Sequence, residues 1–299
     1  MRSPLLALLL TASLTACAAN GAGPTLAQLD IADQYSASSG AGPLAADALA
    51  NCWGWLGDTT LAGLQAGAPD AAARSAVSRT YMALRARQAR VANLRAYLAA
   101  QQDNLEIARF REEAKLVTAR DAVQADALRA RAAAQIPALD AQTDADAARI
   151  APLLGQTPAA LRDALTPAGA IPTEPAVVGV GSPSELLARR PDLKPSALPT
   201  PKAKAAYRTA VLTAIAQVEE AQAAFDGSVA SARALSNAAE KADALAQLVR
   251  QQYRDGLAAY ADLAGAEEAL LAARDVLAEA RGRRAAAAVD LCLALGGGR

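Results

Sequence analysis

The chain has 299 residues, with 30 Lys and Arg against 30 Asp and Glu, and it contains no His. The balanced charge excludes a basic nucleic-acid-binding arm, and the missing His excludes imidazole-dependent catalysis and metal ligation. Hydrophobic residues make up 53 % of the chain and aromatic residues 3 %. Because Ala, the best helix former, is the commonest apolar residue, the composition predicts long, closely packed helices and argues against most enzymes.

The first residues of the chain have the pattern of a secretion signal. A positive start, a short apolar run and small residues fill 1–16, and the run is well short of the ~20 residues that a spanning helix needs. Cys17 follows Leu-Thr-Ala, which resembles the bacterial lipobox, and Ala18 at the next position implies sorting to the outer membrane. We therefore predict a signal peptide over 1–16 and a lipid on Cys17. The alternative is an ordinary signal peptide with an incidental Cys.

Two further cysteines, Cys52 and Cys292, follow in the sequence. The oxidising periplasm allows a disulfide between them, but their neighbours do not suggest one. Cys292 lies between two Leu residues at a helix end. We therefore expect two buried free thiols. Residues 17–70 are predicted to form a lipidated tether with a short helix near 45–64.

The first long helical pattern begins at 71. No Pro or Gly occurs from 71 to 135, and apolar residues recur every three, four or seven positions. The pattern weakens at 115–121, which predicts two antiparallel helices with a tip near 114–120. Pro137 and Pro152 are expected to kink or restart the second helix, and Gly155 to end it. This first helical-hairpin repeat is predicted to span 71–157.

A Pro-rich stretch over 158–202 is predicted to be an irregular connector, and a second helical-hairpin repeat follows over 203–299. The sequence Tyr-Arg-Asp-Gly ending at Gly256 predicts a turn. Beyond it Leu and Ala each recur every seven residues, which predicts a left-handed coiled coil with close helix axes. The two repeats are offset by about 140 residues, as Leu154-Gly155 and Leu295-Gly296 indicate, which favours an internal duplication.

Several stretches carry a family resemblance. The most specific is GSPSELLARRPDL, and the others are RTYMALR, YRTAVL, YRDGL and the terminal LALGGG, which begin at Gly181, Arg79, Tyr207, Tyr253 and Leu293. In these stretches the chain resembles the TolC-like family of outer-membrane efflux lipoproteins. The resemblance implies a homotrimeric, passive periplasmic tunnel within a tripartite drug-export system. Its implied partners are a periplasmic adaptor protein and an inner-membrane pump, and its implied place is the outer membrane with the body in the periplasm.

The chain departs from the family at two equivalent places. Gly67–Asp70 leads almost directly into the helix that begins at 71, and 195–202 leads directly to Tyr207, where the family carries pairs of membrane strands. We therefore predict a mainly α fold of two long antiparallel hairpins with the membrane β-barrel strands missing. The alternative function is a barrel-less, lipid-anchored periplasmic scaffold or a non-conducting remnant of such a channel.

The resemblance also implies site residues. The second tip would carry Tyr253, Arg254, Asp255 and Gly256, and the first tip Lys115, Leu116, Thr118 and Arg120, with gating and adaptor docking as their role. The family usually has Gly at the position of Lys115. The alternative role is that of a solvated helix turn. A structural role, with salt bridges and capping, is expected for the signature residues Pro183, Leu186, Arg189, Arg190, Pro191 and Asp192.

Overall fold

The fold was analysed in a computed structural model, which describes residues 24–36, 49, 54, 56–173, 177–194, 198 and 200–297. Cys17 and Cys52, and with them the predicted lipidation site, lie outside the described residues. Short 3-10 turns include Ala27–Leu29 and Pro191–Leu193. The α-helices are α1 (Thr59–Ala66), α2 (Ala71–Glu113), α3 (Ala119–Leu153), α4 (Pro158–Leu165), α5 (Pro183–Arg189), α6 (Pro201–Arg254) and α7 (Tyr260–Ala294).

The four long helices lie side by side in a row. Helices α2 and α3 form one antiparallel hairpin, α6 and α7 form the other, and α2 packs against α7. The order across the row is therefore α3, α2, α7, α6, with α3 and α6 at its two edges. The described residues contain no β-strand. The predicted fold of two long helical hairpins is confirmed.

The two hairpins repeat each other closely. Helices α3 and α7 both have 35 residues. Lys115 and Gly256, which follow α2 and α6, are 141 positions apart and both have a positive φ. Gly155 and Gly296, which follow α3 and α7, have the same separation and also a positive φ. Both hairpins therefore have the same length from the tip to the end of the returning helix.

Two helix boundaries differ from the sequence-based expectation. Helix α3 continues through Pro137 to Leu153 instead of restarting. Pro137 is exposed, so its ring meets no neighbouring helix of the same chain. Helix α6 begins at Pro201, inside the predicted connector, because Pro is well suited to the first helical position and Thr200 caps the helix by accepting from the Ala203 N–H at 3.1 Å.

The seam between α2 and α7 joins the two hairpins. Gly282 of α7 lies so close to α2 that a Cβ added there would be 2.8 Å from the Cβ of Ala86. Arg79 pairs with Asp290 at 2.7 Å, and Arg90 pairs with Glu279 at 2.7 Å. The seam therefore combines close backbone packing with ion pairs along its edge.

The connector is fastened to α2 by a buried arginine. The Arg85 Nη1 atom donates to the carbonyl oxygen of Pro167 at 2.7 Å and to Gln88 Oε1 at 2.7 Å, and its Nε donates to the Tyr81 hydroxyl at 2.8 Å. That hydroxyl donates in turn to Asp58 Oδ2 at 2.7 Å. Burial raises the pKa of Tyr81 to about 12, so the hydroxyl stays neutral. This network holds the start of the connector on the half of the row away from the tips.

The N-terminal segment 24–36 packs on α6. Leu26 and Leu29 form an apolar cluster with Val211, and the Arg208 Nε atom donates to the Leu29 carbonyl at 2.7 Å. The Ser36 N–H donates to Glu219 Oε1 at 2.6 Å. The segment therefore meets the body near the start of α6, at the end of the row opposite the tips.

Cys292 corrects another expectation. It is buried between the hairpins and the connector, but it is disulfide-bonded, so the prediction of a free thiol at this position is wrong. A covalent bond therefore fixes the end of α7.

Within the described residues, none of the helices is both long enough and apolar enough to cross a bilayer.

Candidate functional site at the helical tips

The first tip is a tight turn between α2 and α3. The Lys115 N–H donates to the Glu112 carbonyl at 2.9 Å, and the Leu116 N–H donates to the Arg111 carbonyl at 2.9 Å. This pair of bonds is a Schellman motif, which requires a left-handed residue after the helix. Lys115 takes that conformation with a φ of 60°, in the place where Gly is usual.

The second tip repeats the motif with Gly. The Gly256 N–H donates to the Tyr253 carbonyl at 3.1 Å, and the Leu257 N–H donates to the Gln252 carbonyl at 2.8 Å. Gly256 has a φ of 79° and needs no strain to reach it. At the start of α7 the Ala259 N–H donates to Asp262 Oδ2 at 3.2 Å, which caps the helix.

Arg111 of the first hairpin holds the second tip. Its Nη1 atom donates to the Tyr253 carbonyl at 2.6 Å, and its guanidinium carbon lies 4.7 Å from the centre of the Tyr253 ring. These contacts combine a charged hydrogen bond with a cation–π interaction. We call this pair the Arg111–Tyr253 contact, and it links the end of α2 directly to the end of α6.

Aromatic packing extends the same junction. The rings of Tyr253 and Tyr260 meet edge to face at 5.7 Å, and the Tyr260 hydroxyl donates to Gln101 Oε1 of α2 at 3.2 Å. Burial raises the pKa of the Tyr253 hydroxyl, although Arg111 opposes the shift. Tyr253 is therefore a buried, neutral anchor of the second tip and is not presented to a partner.

The remaining tip residues from the sequence analysis are exposed. Their exposure makes them available to a partner. Leu116 is 70 % exposed, and Leu257, which follows Gly256, is 79 % exposed. Phe110, at 70 %, lies beside them near the end of α2. The exposed polar tip residues are Lys115, Thr118, Arg120, Arg254 and Asp255. The two tips thus present apolar side chains with charged side chains around them.

The signature residues lie far from the tips, beside α6 and the end of α7. Arg189 pairs with Glu185, and Arg190 pairs with Asp192 at 2.6 Å and donates to Gln217 Oε1 of α6 at 2.9 Å. Pro183 starts α5, Leu186 is buried in the core, and Pro191 starts a 3-10 turn. The segment closes the end of the second hairpin and does not contribute to the tips.

Arg111, which contacts both the backbone and the ring of Tyr253 at the second tip, was not identified from the sequence. The available signal was weak, because an Arg in the last turn of a helix is common for reasons of the helix dipole alone. The partner is a backbone carbonyl 142 positions later, which no local pattern reveals. In the described part of the chain, no group of three or more Cys, Asp or Glu side chains is placed to hold a metal ion.

The two edge helices carry a second kind of feature, a stripe of mostly small residues spaced three and four apart. Each stripe lies on the side of its helix opposite the face that is buried in the row. All members of the two stripes are exposed except Ala148, which is half-buried. The α3 stripe is Val123, Ala127, Ala130, Ala134, Pro137, Ala141, Asp144 and Ala148, and the α6 stripe is Ala223, Gly227, Ala230, Ala234, Asn237, Lys241, Ala244 and Leu248.

The left-handed Lys at the first tip gives a direct prediction. Lys115→Gly is expected to stabilise the protein by about 0.5–1 kcal/mol, because Gly reaches a φ of 60° without steric cost. The matched change Gly256→Ala is expected to destabilise it by about 1 kcal/mol, since it places a side chain at the equivalent position. Urea unfolding measures both. Equal stability of all three proteins would contradict the assignment of strain to Lys115.

The second hairpin of this chain matches a known protein family. Residues 200–297 match the family model described as Outer membrane efflux protein. This match lies over α6 and α7 and supports the resemblance predicted from the sequence. No curated protein sequence matches the chain significantly.

Solved outer-membrane channels share the fold over most of the chain. The outer-membrane channel OprN matches with a TM-score of 0.66 at 22 % identity, covering 82 % of this chain and 70 % of that one. VceC from Vibrio cholerae matches with a TM-score of 0.61 at 18 % identity, covering 80 % and 74 %. The open-state MtrE channel of Neisseria gonorrhoeae matches with a TM-score of 0.59 at 19 % identity, covering 76 % and 66 %. At these identities the likeness establishes the fold.

Proposed function

We propose that this chain is the outer-membrane lipoprotein component of a tripartite efflux system, in which copies stand side by side as a passive periplasmic tunnel. The observation that carries the proposal is the pair of edge stripes. A row of four helices with an unpartnered small-residue stripe at each edge joins other copies head to tail, α3 of one against α6 of the next. Small residues at such spacing allow close helix axes, as in a coiled coil.

The two stripes agree in register when the tips are level. Helix α3 runs away from the tips and α6 runs towards them, so an α3–α6 pair between copies is antiparallel. Aligning Lys115 with Gly256 places Val123 opposite Leu248, Ala134 opposite Asn237 and Ala148 opposite Ala223. Both stripes end together, after about 38 Å at 1.5 Å per residue. Because the interface is head to tail, a rotation that closes after three copies gives the homotrimer that the resemblance implies.

The orientation follows from the N-terminal segment. Lipid on Cys17 would hold the start of α6 at the outer membrane, since Leu26 and Leu29 pack on Val211. The tips would then lie in the periplasm, where the exposed Leu116 and Leu257 are available to dock on an adaptor protein. The Arg111–Tyr253 contact would hold the second tip in its closed position, and transport would need no cofactor and no covalent step.

Cysteine cross-linking tests the tunnel. Ala134→Cys and Asn237→Cys in one chain lie on opposite edges of the row, so they cannot reach each other within that chain. Oxidation is expected to link neighbouring copies into dimers and a closed trimer, with no larger product, on a non-reducing gel.

The control pairs Ala134→Cys with Glu240→Cys, which is also exposed on α6 but lies about a quarter turn from the stripe. This pair is expected to cross-link far less. Equal cross-linking by both pairs, or products that never exceed the monomer, would overturn the proposed assembly.

A lipid-anchored periplasmic scaffold is the second candidate. The direct passage from α1 to α2 through Gly67–Asp70 favours it, because the family carries membrane strands there. Conductance of the purified, lipidated, full-length protein in a planar bilayer separates the two candidates. Reproducible single-channel steps support the tunnel, and a silent bilayer with folded, cross-linkable protein supports the scaffold.

A further inference from the structure

Basic side chains gather at the end of the row opposite the tips. The chain contains five Lys, and three of them lie between 194 and 204. Lys194, Lys202 and Lys204 are exposed, and so is Arg208. Elsewhere in the described residues the cations that form ion pairs are arginines. We call these four residues the basic end.

The four residues of the basic end lie close together along the long axis of the molecule. Lys202, Lys204 and Arg208 lie within the first two turns of α6, which is about 9 Å of helix. The Tyr207 hydroxyl donates to the Leu193 carbonyl at 3.0 Å, which brings the neighbouring Lys194 to the same side of the molecule. The four cations therefore lie at the same end of the row.

None of the four residues forms an ion pair within the described part of the chain, and Arg208 donates to backbone carbonyls of Leu29 and Asp30 instead. Asp192 is engaged by Arg190, and Asp33 accepts from the Ser184 N–H. Cations in the first turn of a helix also oppose its dipole, and α6 has no acidic residue there to compensate. The arrangement thus costs stability unless an anionic partner is present.

The position of the N-terminal segment identifies the partner. Leu29 packs on α6 one turn after Arg208, and the chain from Thr25 back to Cys17 can extend at most about 27 Å. Any lipid on Cys17 would therefore insert within a short distance of the basic end. The surface at that distance is the layer of phosphate headgroups of the same membrane, and Lys suits it because its ammonium on a flexible stem binds phosphate as a point charge.

We infer that the basic end binds the anionic headgroup surface of the membrane, as a second anchor beside the lipid. The inference rests on the orientation given in the proposed function. It adds a protein surface that would hold the long axis of the helices upright, since a lipid on a flexible tether fixes position but not orientation.

Vesicle binding of the full chain with Cys17→Ser, which removes the lipid acceptor, tests the inference. Vesicles of phosphatidylcholine with one quarter phosphatidylglycerol are expected to bind the protein, and vesicles of pure phosphatidylcholine to bind it weakly. Changing Lys194, Lys202 and Lys204 to Gln is expected to lower the partition coefficient about a hundredfold, because each basic residue near an anionic surface contributes about a fivefold factor. Raising the salt concentration is also expected to lower the partition coefficient of the protein with an unmodified basic end, because salt screens the attraction between charges.

The matched control also removes three exposed cations that form no ion pair in the described part of the chain, by Arg109→Gln, Arg233→Gln and Arg281→Gln. This control is expected to keep vesicle binding within about threefold, since these residues lie away from the basic end. The inference would be overturned by an equal loss of vesicle binding in both triple variants. It would also be overturned by vesicle binding that does not depend on anionic lipid or on salt concentration. Failure of cross-linking with intact vesicle binding would instead reject the tunnel alone, so the two proposals fail separately.

Discussion

Arg111→Ala is expected to release the second tip. The change removes a charged hydrogen bond to the Tyr253 carbonyl and a cation–π contact with its ring, together worth about 2 kcal/mol. Amide hydrogens over 252–262 should then exchange roughly thirtyfold faster, because local opening is governed by the free energy of that region. Hydrogen exchange read by mass spectrometry measures the effect without requiring that the protein conducts.

Arg109→Ala provides the control, since Arg109 is exposed two positions earlier and forms no ion pair in the described residues. It is expected to leave exchange at the second tip unchanged. If the protein conducts in a bilayer, Arg111→Ala should also raise the open fraction, whereas Arg109→Ala should not. Unaltered exchange in Arg111→Ala would refute the view that this contact holds the tip closed.

Cys292→Ser is expected to lower the free energy of unfolding by about 2–4 kcal/mol, because the disulfide limits the freedom of the unfolded chain. For a chain of this size the melting temperature should fall by roughly 3–6 °C. Differential scanning calorimetry with and without reductant measures the loss. Reduced wild-type protein should melt like oxidised Cys292→Ser protein, apart from the small effect of the substitution itself.

Cys17→Ser is the matched control for this experiment. Its melting temperature is expected to match that of the wild type, because the proposed function gives Cys17 a lipid and no disulfide. A wild-type protein whose melting temperature does not respond to reductant would contradict a stabilising bond at Cys292.

The long helices and their tips were predictable from the sequence, because helical periodicity and the lack of Pro and Gly are local signals. The Asp-Gly turn at Gly256 was correctly located for the same reason. Helix α3 was harder, since Pro137 reads as a breaker and only its place on the open edge explains why the helix continues. Whether one side of a helix is exposed depends on which neighbouring elements pack on its other sides.

Long-range partners could not be predicted. The carbonyl that Arg111 binds, and the carbonyl of Pro167 that fastens Arg85, belong to segments far along the chain. The disulfide at Cys292 was misjudged because the apolar neighbours of this residue suit a packed thiol equally well. These contacts depend on how the four helices pack together. The periodicity of a single helix does not determine that packing.

The unequal lengths of the two edge helices have a mechanical consequence. Helix α6 has 54 residues and α3 has 35, so more than 20 residues of α6 precede the first member of its stripe, a length of about 33 Å. In a ring of copies, the contacts between α3 and α6 would hold neighbouring copies together only in the half of the row that carries the tips. The width of the tunnel at the end opposite the tips would then depend on the connectors. It could change without weakening the contacts between copies near the tips.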